Sequence, residues 1–183
     1  MASTFIIKNT LVRNLLIPLS ILLTFSACQE SPQEDFDKEG ISIISLPGWK
    51  ITDREDMDGE GYYLVIEKDG FNSSGLISLT WLNNELDLSN WISLHQDEMK
   101  SNFIYKNSDL SFTSVTQAQF NNIPTQSVSF TASILNIKHE GKLHVFYKNG
   151  KTFSVLRQEA IEDKPNNKKG FDLIEKSFQI ISN

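Results

Sequence analysis

The chain has 183 residues, enough for one domain of ordinary size, and its 17 basic and 23 acidic side chains give a net charge of −6. Nucleic-acid binding needs an excess of Lys and Arg, so this balance argues against nucleic acid as a partner. A single cysteine excludes an internal disulfide framework and a cysteine-based zinc site. With 39% hydrophobic and 22% charged residues, the composition is that of a globular protein.

Residues 1–27 have the pattern of a cleaved signal peptide. Lys8 and Arg13 form its basic part, and residues 15–25 are an apolar run that is shorter than the roughly 20 residues a bilayer span requires. Cys28 follows two small residues directly, an arrangement that resembles the lipobox of bacterial lipoproteins. The resemblance implies that Cys28 becomes the first mature residue and carries acyl chains such as palmitate, which hold the protein to a membrane of the cell envelope. An ordinary signal peptide with a coincidental cysteine is the alternative.

Residues 28–40 are predicted to form the lipidated cysteine and an acidic tether. The segment contains five carboxylates and only one large apolar residue, Phe36, so it is not expected to bury enough surface to fold. Residues 34–37 (Glu-Asp-Phe-Asp) resemble the acidic stretch that exports lipoproteins to the cell surface in some Gram-negative lineages. A solvated acidic linker is the equal alternative.

Residues 41–183 are predicted to form one α+β domain. Three segments rich in strand formers, residues 41–46, 62–67 and 76–81, are bounded by turn pairs such as Pro47-Gly48. The polar residues 52–61 between the first two segments are predicted to form a loop.

An amphipathic helix of about four turns is predicted after the third strand, with Asp87 or Ser89 as its N-cap. His95 lies on its apolar face, where a histidine is usually packed at the core edge rather than used as a ligand. The residues of that face recur at the spacing of one helical surface; they are Leu88, Trp91, Ile92, His95, Met99 and Phe103.

The second half is predicted to be mainly strands, followed by a closing helix. Strands at 111–120 and 125–135 flank a turn at 121–124, and strands at 142–148 and 151–157 flank Asn149-Gly150, a pair typical of a type I′ hairpin. Residues 162–167, which include Pro165, are predicted to be a polar loop. Two helices separated by antiparallel strands predict a layered α/β sandwich with a mainly antiparallel sheet. The closing helix has one apolar face, formed by Phe171, Ile174, Phe178 and Ile181.

This order of elements resembles the PsbP-like superfamily, whose fold is shared by a Ran-binding nuclear transport factor and many small bacterial lipoproteins. The matching features are residues 46–49 (Leu-Pro-Gly-Trp), the helix after Trp81, residues 120–124 (Phe-Asn-Asn-Ile-Pro) and residues 174–178 (Ile-Glu-Lys-Ser-Phe). Members usually have Gly at the position of Asn122, and Asn also tolerates positive φ. The resemblance implies a three-layer α/β/α sandwich over residues 41–183 and a habit of binding proteins. It implies neither catalytic residues nor a cofactor.

The acidic segment 56–61 matches the spacing of an EF-hand calcium loop. Asp56, Asp58 and Glu60 stand at positions 1, 3 and 5, Gly61 at position 6 and Glu67 at position 12. The flanking residues predict strands rather than helices, and an extended strand would place Glu67 roughly 20 Å from Gly61. Asp56, Asp58 and Glu60 are therefore weak metal candidates, and we expect calcium binding to be absent or no tighter than millimolar.

The histidines offer a second metal hypothesis. If Glu140-Gly141 formed a tight turn, His139 and His144 would approach each other across a hairpin, and two histidines with Glu140 suffice for zinc. Surface histidines in a hairpin are the commoner explanation of this pattern.

No sequence motif points to catalysis or to a cofactor, so the interpretation favoured is a non-catalytic, lipid-anchored binding or accessory module of the bacterial envelope, on the outer membrane. Its acidic body favours a basic or divalent-bridged protein partner. Two alternatives stay open: a small-ligand or divalent-cation binding protein, and a hydrolase with an unrecognised site. A deep pocket with converging polar groups would favour the alternatives, whereas an exposed apolar patch would favour protein binding.

Overall fold

The computed structural model describes residues 32–70 and 73–181, so Cys28 and the predicted signal peptide lie outside the described residues. The described residues form eleven strands and two helices, an α+β arrangement. The helices are α1 (Leu88–Ser101) and α2 (Lys164–Ser177), with a 3₁₀ turn at Ile161–Asp163 before α2. The strands are β1 (Asp35–Lys38), β2 (Ile41–Ile44), β3 (Trp49–Asp56), β4 (Gly61–Lys68), β5 (Leu76–Leu82), β6 (Ser111–Phe112), β7 (Thr116–Phe120), β8 (Ile123–Ile134), β9 (Ile137–Lys148), β10 (Lys151–Ala160) and β11 (Gln179–Ile180).

Two sheets organise the domain, and every strand pairing in them is antiparallel. The larger sheet has eight strands in the order β3-β4-β5-β10-β9-β8-β6, with β7 also pairing with β8. The smaller sheet has the order β1-β2-β11. The mainly antiparallel sheet predicted from the sequence is thus confirmed.

The large sheet buries apolar side chains on both faces. Because side chains alternate along a strand, Val145 and Phe146 of β9 belong to different core clusters. Val145 packs with Ile92 of α1, and this side of the sheet is called the α1 face below. Phe146 packs with Phe171 and Ile174 of α2 and with residues of the small sheet, on the α2 face. Neither helix in the described part of the chain is long and apolar enough to cross a membrane.

The hairpin turns follow from residues that accept positive φ. Asn149 and Gly150 have φ of 52° and 73°, as a type I′ turn requires, and Asn121 and Asn122 have 44° and 64°. Both turns lie where the sequence predicted them, and Asn122 performs the role that Gly has in the resembling family.

The prediction that residues 28–40 form an unfolded tether is wrong for residues 35–40. Strand β1 pairs with β2, and Phe36 is 7% exposed and packs against the rings of Tyr62 and Trp81, at centroid distances of 5.7 and 6.2 Å. A hairpin turn at Glu39 and Gly40, both with positive φ, returns the chain into β2. One buried aromatic ring is enough to hold a strand that is otherwise polar.

Other boundaries also differ from the predicted ones. The strand predicted at 111–120 is divided into β6 and β7, β9 begins at Ile137, and α2 ends at Ser177, before Phe178 and Ile181. The polar loop predicted at 52–61 is mostly strand, because β3 continues to Asp56 as an edge strand with exposed polar side chains. Helix α1 ends at Ser101, two residues before Phe103, which is 84% exposed. The loop predicted at 162–167 contains the start of α2, because Pro165 occupies the first turn of a helix, where its missing N–H has no intrahelical partner to lose.

Candidate functional site

The acidic segment forms a tight β-turn between β3 and β4. Asp56 ends β3, and its Oδ2 accepts a hydrogen bond from Lys38 Nζ at 2.5 Å, which lowers the pKa of the Asp56 carboxyl. Asp58 lies in the turn with φ of 52°, Glu60 follows it, and Glu67 lies far along β4. Within residues 32–70 and 73–181, no three Asp, Glu, His or Cys side chains converge on a metal-sized space. The expectation of very weak calcium binding stays a prediction.

The two histidines of the zinc hypothesis do not approach each other. No turn forms at Glu140-Gly141, because β9 runs through both residues. His139 and His144 are five residues apart on one strand and therefore point to opposite faces of the sheet. Gly141 is required for packing rather than for a turn, since a Cβ there would overlap the ring of Phe130.

His95 packs at the core edge as predicted. Its ring lies against Trp91 at a centroid distance of 4.8 Å, and burial lowers its pKa to about 4.

A polar groove that the sequence analysis did not predict lies on the α2 face. It consists of two adjoining cavities of about 260 and 230 Å³, over strands β8, β9 and β10, and both are lined by Lys142 and Arg157. We call it the α2-face groove. The first cavity is also lined by hydroxyl and carboxylate side chains, among them Ser129, Thr131, Glu140 and Glu159. The second is also lined by Ile77, Gln119, Phe120, His144, Val155, Phe171 and Glu175.

Two cations stand opposite each other in the middle of this groove. Lys142 of β9 and Arg157 of β10 are direct cross-strand partners on one face of the sheet. The Arg157 guanidinium lies over the ring of Phe171 at 4.8 Å and is 3.7 Å from Glu159 Oε1. Lys142 is half-buried and forms no ion pair with any described residue.

His144 stands beside the cation pair and is neutral. Its Nδ1 lies 2.9 Å from the Thr125 hydroxyl, which is buried. Burial, together with the nearby charges of Lys142 and Arg157, lowers the pKa of His144 to about 4. His144 therefore contributes a polar group to the groove but no charge. The charged groups that line the groove are its lysine, its arginine and its carboxylates.

The register of the β9–β10 hairpin is the signal that could have found this groove. A two-residue turn at Asn149-Gly150 fixes every cross-strand partner, and counting back from it places Arg157 opposite Lys142.

A second surface feature lies at the tip of the β8–β9 hairpin, where the chain turns between the two strands. Ile134 is half-buried, Leu135 is 90% exposed and Ile137 is 42% exposed. The loop after α1 hydrogen-bonds to the same end of the hairpin, from Ser133 N–H to Ser108 C=O, and carries two more exposed apolar residues. We call the hairpin residues Ile134, Leu135 and Ile137 the hairpin-tip patch.

Leu135 is unusual in its backbone as well as its exposure. It is the first residue of a two-residue turn, with φ of 51°, followed by Asn136 with φ of 65°. The equivalent first positions of the other three turns described above are Glu39, Asn121 and Asn149. Leucine disfavours this left-handed region, which costs most L-residues about 1–2 kcal/mol.

No protein-family model matches this sequence, and no curated protein matches it. Solved structures do match the fold. The cyanobacterial PsbP (CyanoP) of Synechocystis sp. PCC 6803 aligns with a TM-score of 0.54 and 11% identity, over 90% of this chain and 99% of CyanoP. LpqN of Mycobacterium tuberculosis, described as involved in cell envelope biogenesis, aligns with a TM-score of 0.48 and 12% identity, over 82% of this chain and 91% of its own. A Pseudomonas aeruginosa protein of unknown function, described as a putative regulator, aligns with a TM-score of 0.46 and 4% identity, over 82% of this chain and 99% of its own.

The likeness to CyanoP shows that this chain has a PsbP-like fold, as the sequence resemblance implied. At 11% identity it shows the fold alone, so the function has to be argued from this chain's own surfaces.

Proposed function

We propose that this protein is a non-catalytic, lipid-anchored module of the bacterial cell envelope that binds a protein partner through its hairpin-tip patch. In this proposal Cys28 carries the acyl chains, the outer membrane is the site of attachment, and the domain is a three-layer α/β/α sandwich. The CyanoP-like fold is compatible with this arrangement. The observation that carries the proposal is the position of Leu135.

Leu135 adds little to the stability of the isolated domain and strains its backbone. Its side chain is 90% exposed, so it gains little from burial, and its positive φ is unfavourable for leucine. Asn at this position would form the same turn without the strain. A strained and exposed apolar residue is explained when its side chain is buried by another molecule.

The surroundings of the patch indicate the chemistry of that partner. Lys138 directly follows Ile137 of the patch, and Lys106 lies in the loop whose Ser108 accepts a hydrogen bond from Ser133 beside the patch. Both lysines are exposed and form no ion pair within the described parts of the chain. Although the net charge of the whole chain favours a basic partner, the patch itself is bordered by lysines. The partner we infer is therefore a protein with an apolar recess whose rim carries carboxylates.

Photo-crosslinking in intact cells tests this proposal. A photoreactive residue at position 135 is expected to crosslink one envelope protein, whereas the same residue at Ile44, an exposed aliphatic position on the small sheet, is not. The crosslinked protein is then identified, purified and titrated with the full chain. Binding that is weakened by Lys138→Glu supports the proposal, and equal binding by that variant contradicts it.

The membrane itself is the competing occupant of the patch. Purified Cys28→Ser protein, which lacks the anchor, is mixed with anionic vesicles and floated. We expect it to remain unbound. Flotation that Leu135→Asn abolishes would show that the patch binds lipid instead of a protein.

The anchor has its own test, independent of the patch. Wild-type protein is expected to partition into the detergent phase, and Cys28→Ser protein into the aqueous phase. Equal partitioning of the two would overturn the lipidation of Cys28.

A further inference from the structure

The α2-face groove holds two like charges in direct opposition. Like charges on directly opposed residues of neighbouring strands repel each other and destabilise the sheet. Arg157 has a carboxylate at 3.7 Å and an aromatic face beneath it, but Lys142 has neither. Within the described residues the repulsion is therefore offset at Arg157 but not at Lys142.

The carboxylates of the groove already have donors of their own. Glu140 Oε1 is 2.6 Å from Lys164 Nζ. Glu159 Oε2 accepts a hydrogen bond from the Asn167 amide at 3.2 Å. Glu175 Oε1 accepts one from the Asn121 backbone N–H at 3.2 Å. Lys142 is thus the charged group of the groove with neither an ion pair nor a side-chain hydrogen bond to a described residue, whereas Glu175 has a hydrogen bond but no cationic partner among them.

Apolar side chains lie directly beside the cation pair. Ile77, Phe120, Val155 and Phe171 line the cavity of about 230 Å³, and each of them is 5% exposed or less. Because little of each side chain is exposed, the apolar surface that a ligand can contact here is small and suits only a compact group. Cations at one side of an apolar cavity are complementary to a molecule with an anionic end and an apolar body.

We propose that the α2-face groove is a binding site for a carboxylate attached to a compact apolar group. The carboxylate lies between Lys142 and Arg157, which hold it by charge-assisted hydrogen bonds, and the apolar group lies against Phe120 and Phe171. This site is on the opposite face of the sheet from α1 and is independent of the hairpin-tip patch. It therefore goes beyond the proposed function.

Two sources supply this chemistry: a free organic acid, and the C-terminal carboxylate of a polypeptide that ends in an apolar residue. Calorimetric titration of the full chain distinguishes them. The probes are 3-phenylpropionate, its neutral amide, inorganic phosphate, and a pentapeptide ending in Phe with either a free or an amidated C-terminus. Tighter binding of the free acid indicates a small-molecule ligand, and tighter binding of the peptide acid indicates a polypeptide.

In either case the acid is expected to bind at least about tenfold more tightly than its amide, and more tightly than phosphate. Lys142→Met is expected to lose binding by a similar factor while melting at the same temperature as wild type or higher, because it removes the like-charge repulsion. Lys142→Arg is expected to retain binding. Lys148→Met, on the same strand but outside the groove, serves as the matched control.

Four results would each overturn the site. They are equal affinity for acid and amide, affinity for phosphate equal to that for the acids, unchanged binding by Lys142→Met, and absence of saturable binding of both acids. A normal melting curve of Lys142→Met excludes misfolding as the cause of its loss. Because no patch residue is altered, failure here leaves the proposed docking function standing.

Discussion

Gly150 is the second residue of the β9–β10 turn, and its φ of 73° is unfavourable for a β-branched residue. A Cβ there would have nothing within 4 Å, so the space around it is open. Gly150→Val is therefore expected to lower the free energy of unfolding by about 1–2 kcal/mol through backbone strain alone. Denaturant unfolding measures this, with Gly150→Asn as the control that stays close to wild type. Equal stability of the Val variant would contradict the turn.

Gly170 has a different role, because it lies inside α2 against the indole ring of Trp49, which is 2% exposed. In an exposed helix, Gly→Ala gains about 1 kcal/mol of helix propensity. Here the added Cβ would overlap the indole, and overpacking of this kind costs about 1–3 kcal/mol. Gly170→Ala is thus expected to melt at a lower temperature than wild type, while the exposed substitution Lys169→Ala is not. A higher melting temperature for Gly170→Ala would disprove this packing.

Among the elements, strand β1 is the clearest error of the sequence prediction, because its polar composition predicted an unfolded tether. Phe36→Ala is expected to lower the free energy of unfolding by about 3 kcal/mol, because it removes a ring packed on Tyr62 and Trp81. Asp37→Ala, at the exposed neighbouring position, is expected to change it by less than about 0.5 kcal/mol. Denaturant unfolding of both variants decides whether β1 belongs to the folded domain.

The elements that the sequence predicted well are those whose signal is local. The turn at Asn149-Gly150, the cap of α1 by Asp87 and the apolar face of α1 each depend on neighbouring residues. The errors came where distant residues decide the outcome. Phe36 is ordered by Tyr62 and Trp81, and Gly141 is a glycine because Phe130 lies across it.

The candidate sites show the same difference between local sequence signals and contacts with distant residues. Asp56 was a metal candidate by its spacing, yet its hydrogen-bond partner Lys38 is eighteen positions away in the chain. The opposition of Lys142 and Arg157 could have been read from the hairpin register, but the lack of an ion pair at Lys142 depends on the packing of α2.

For the whole molecule, the buried histidines predict a loss of stability in acid. The pKa values of His95 and His144 are both lowered to about 4 from an ordinary 6.5, so the folded state favours the neutral rings. The unfolded chain binds protons first as the pH falls, and stability present above pH 6.5 is lost progressively towards pH 4. Burial is the main cause of both lowered pKa values. The charges of Lys142 and Arg157 also lower the pKa of His144, and Glu98 lies 3.8 Å from His95.

Between pH 7 and pH 5 we expect each histidine to remove on the order of 1 kcal/mol of stability. Denaturant unfolding at several pH values measures this. His144→Gln is expected to reduce the dependence over this range and to leave the contributions of His95 and of His139, whose pKa burial also lowers. Carboxylates such as Asp56 and Asp172, whose pKa values are lowered, act at lower pH. A dependence identical to that of wild type would show that His144 is not the responsible group.

The central claim, that Leu135 is exposed and strained because a partner buries it, is tested most directly by Leu135→Asn. Its melting temperature and its affinity for the crosslinked partner are measured together, with Ile44→Asn as the matched control. We expect Leu135→Asn to raise the free energy of unfolding by about 1 kcal/mol, because Asn tolerates the left-handed region, and to weaken binding to the partner about tenfold or more. Leu135→Asn protein that binds the partner as tightly as wild type would contradict it.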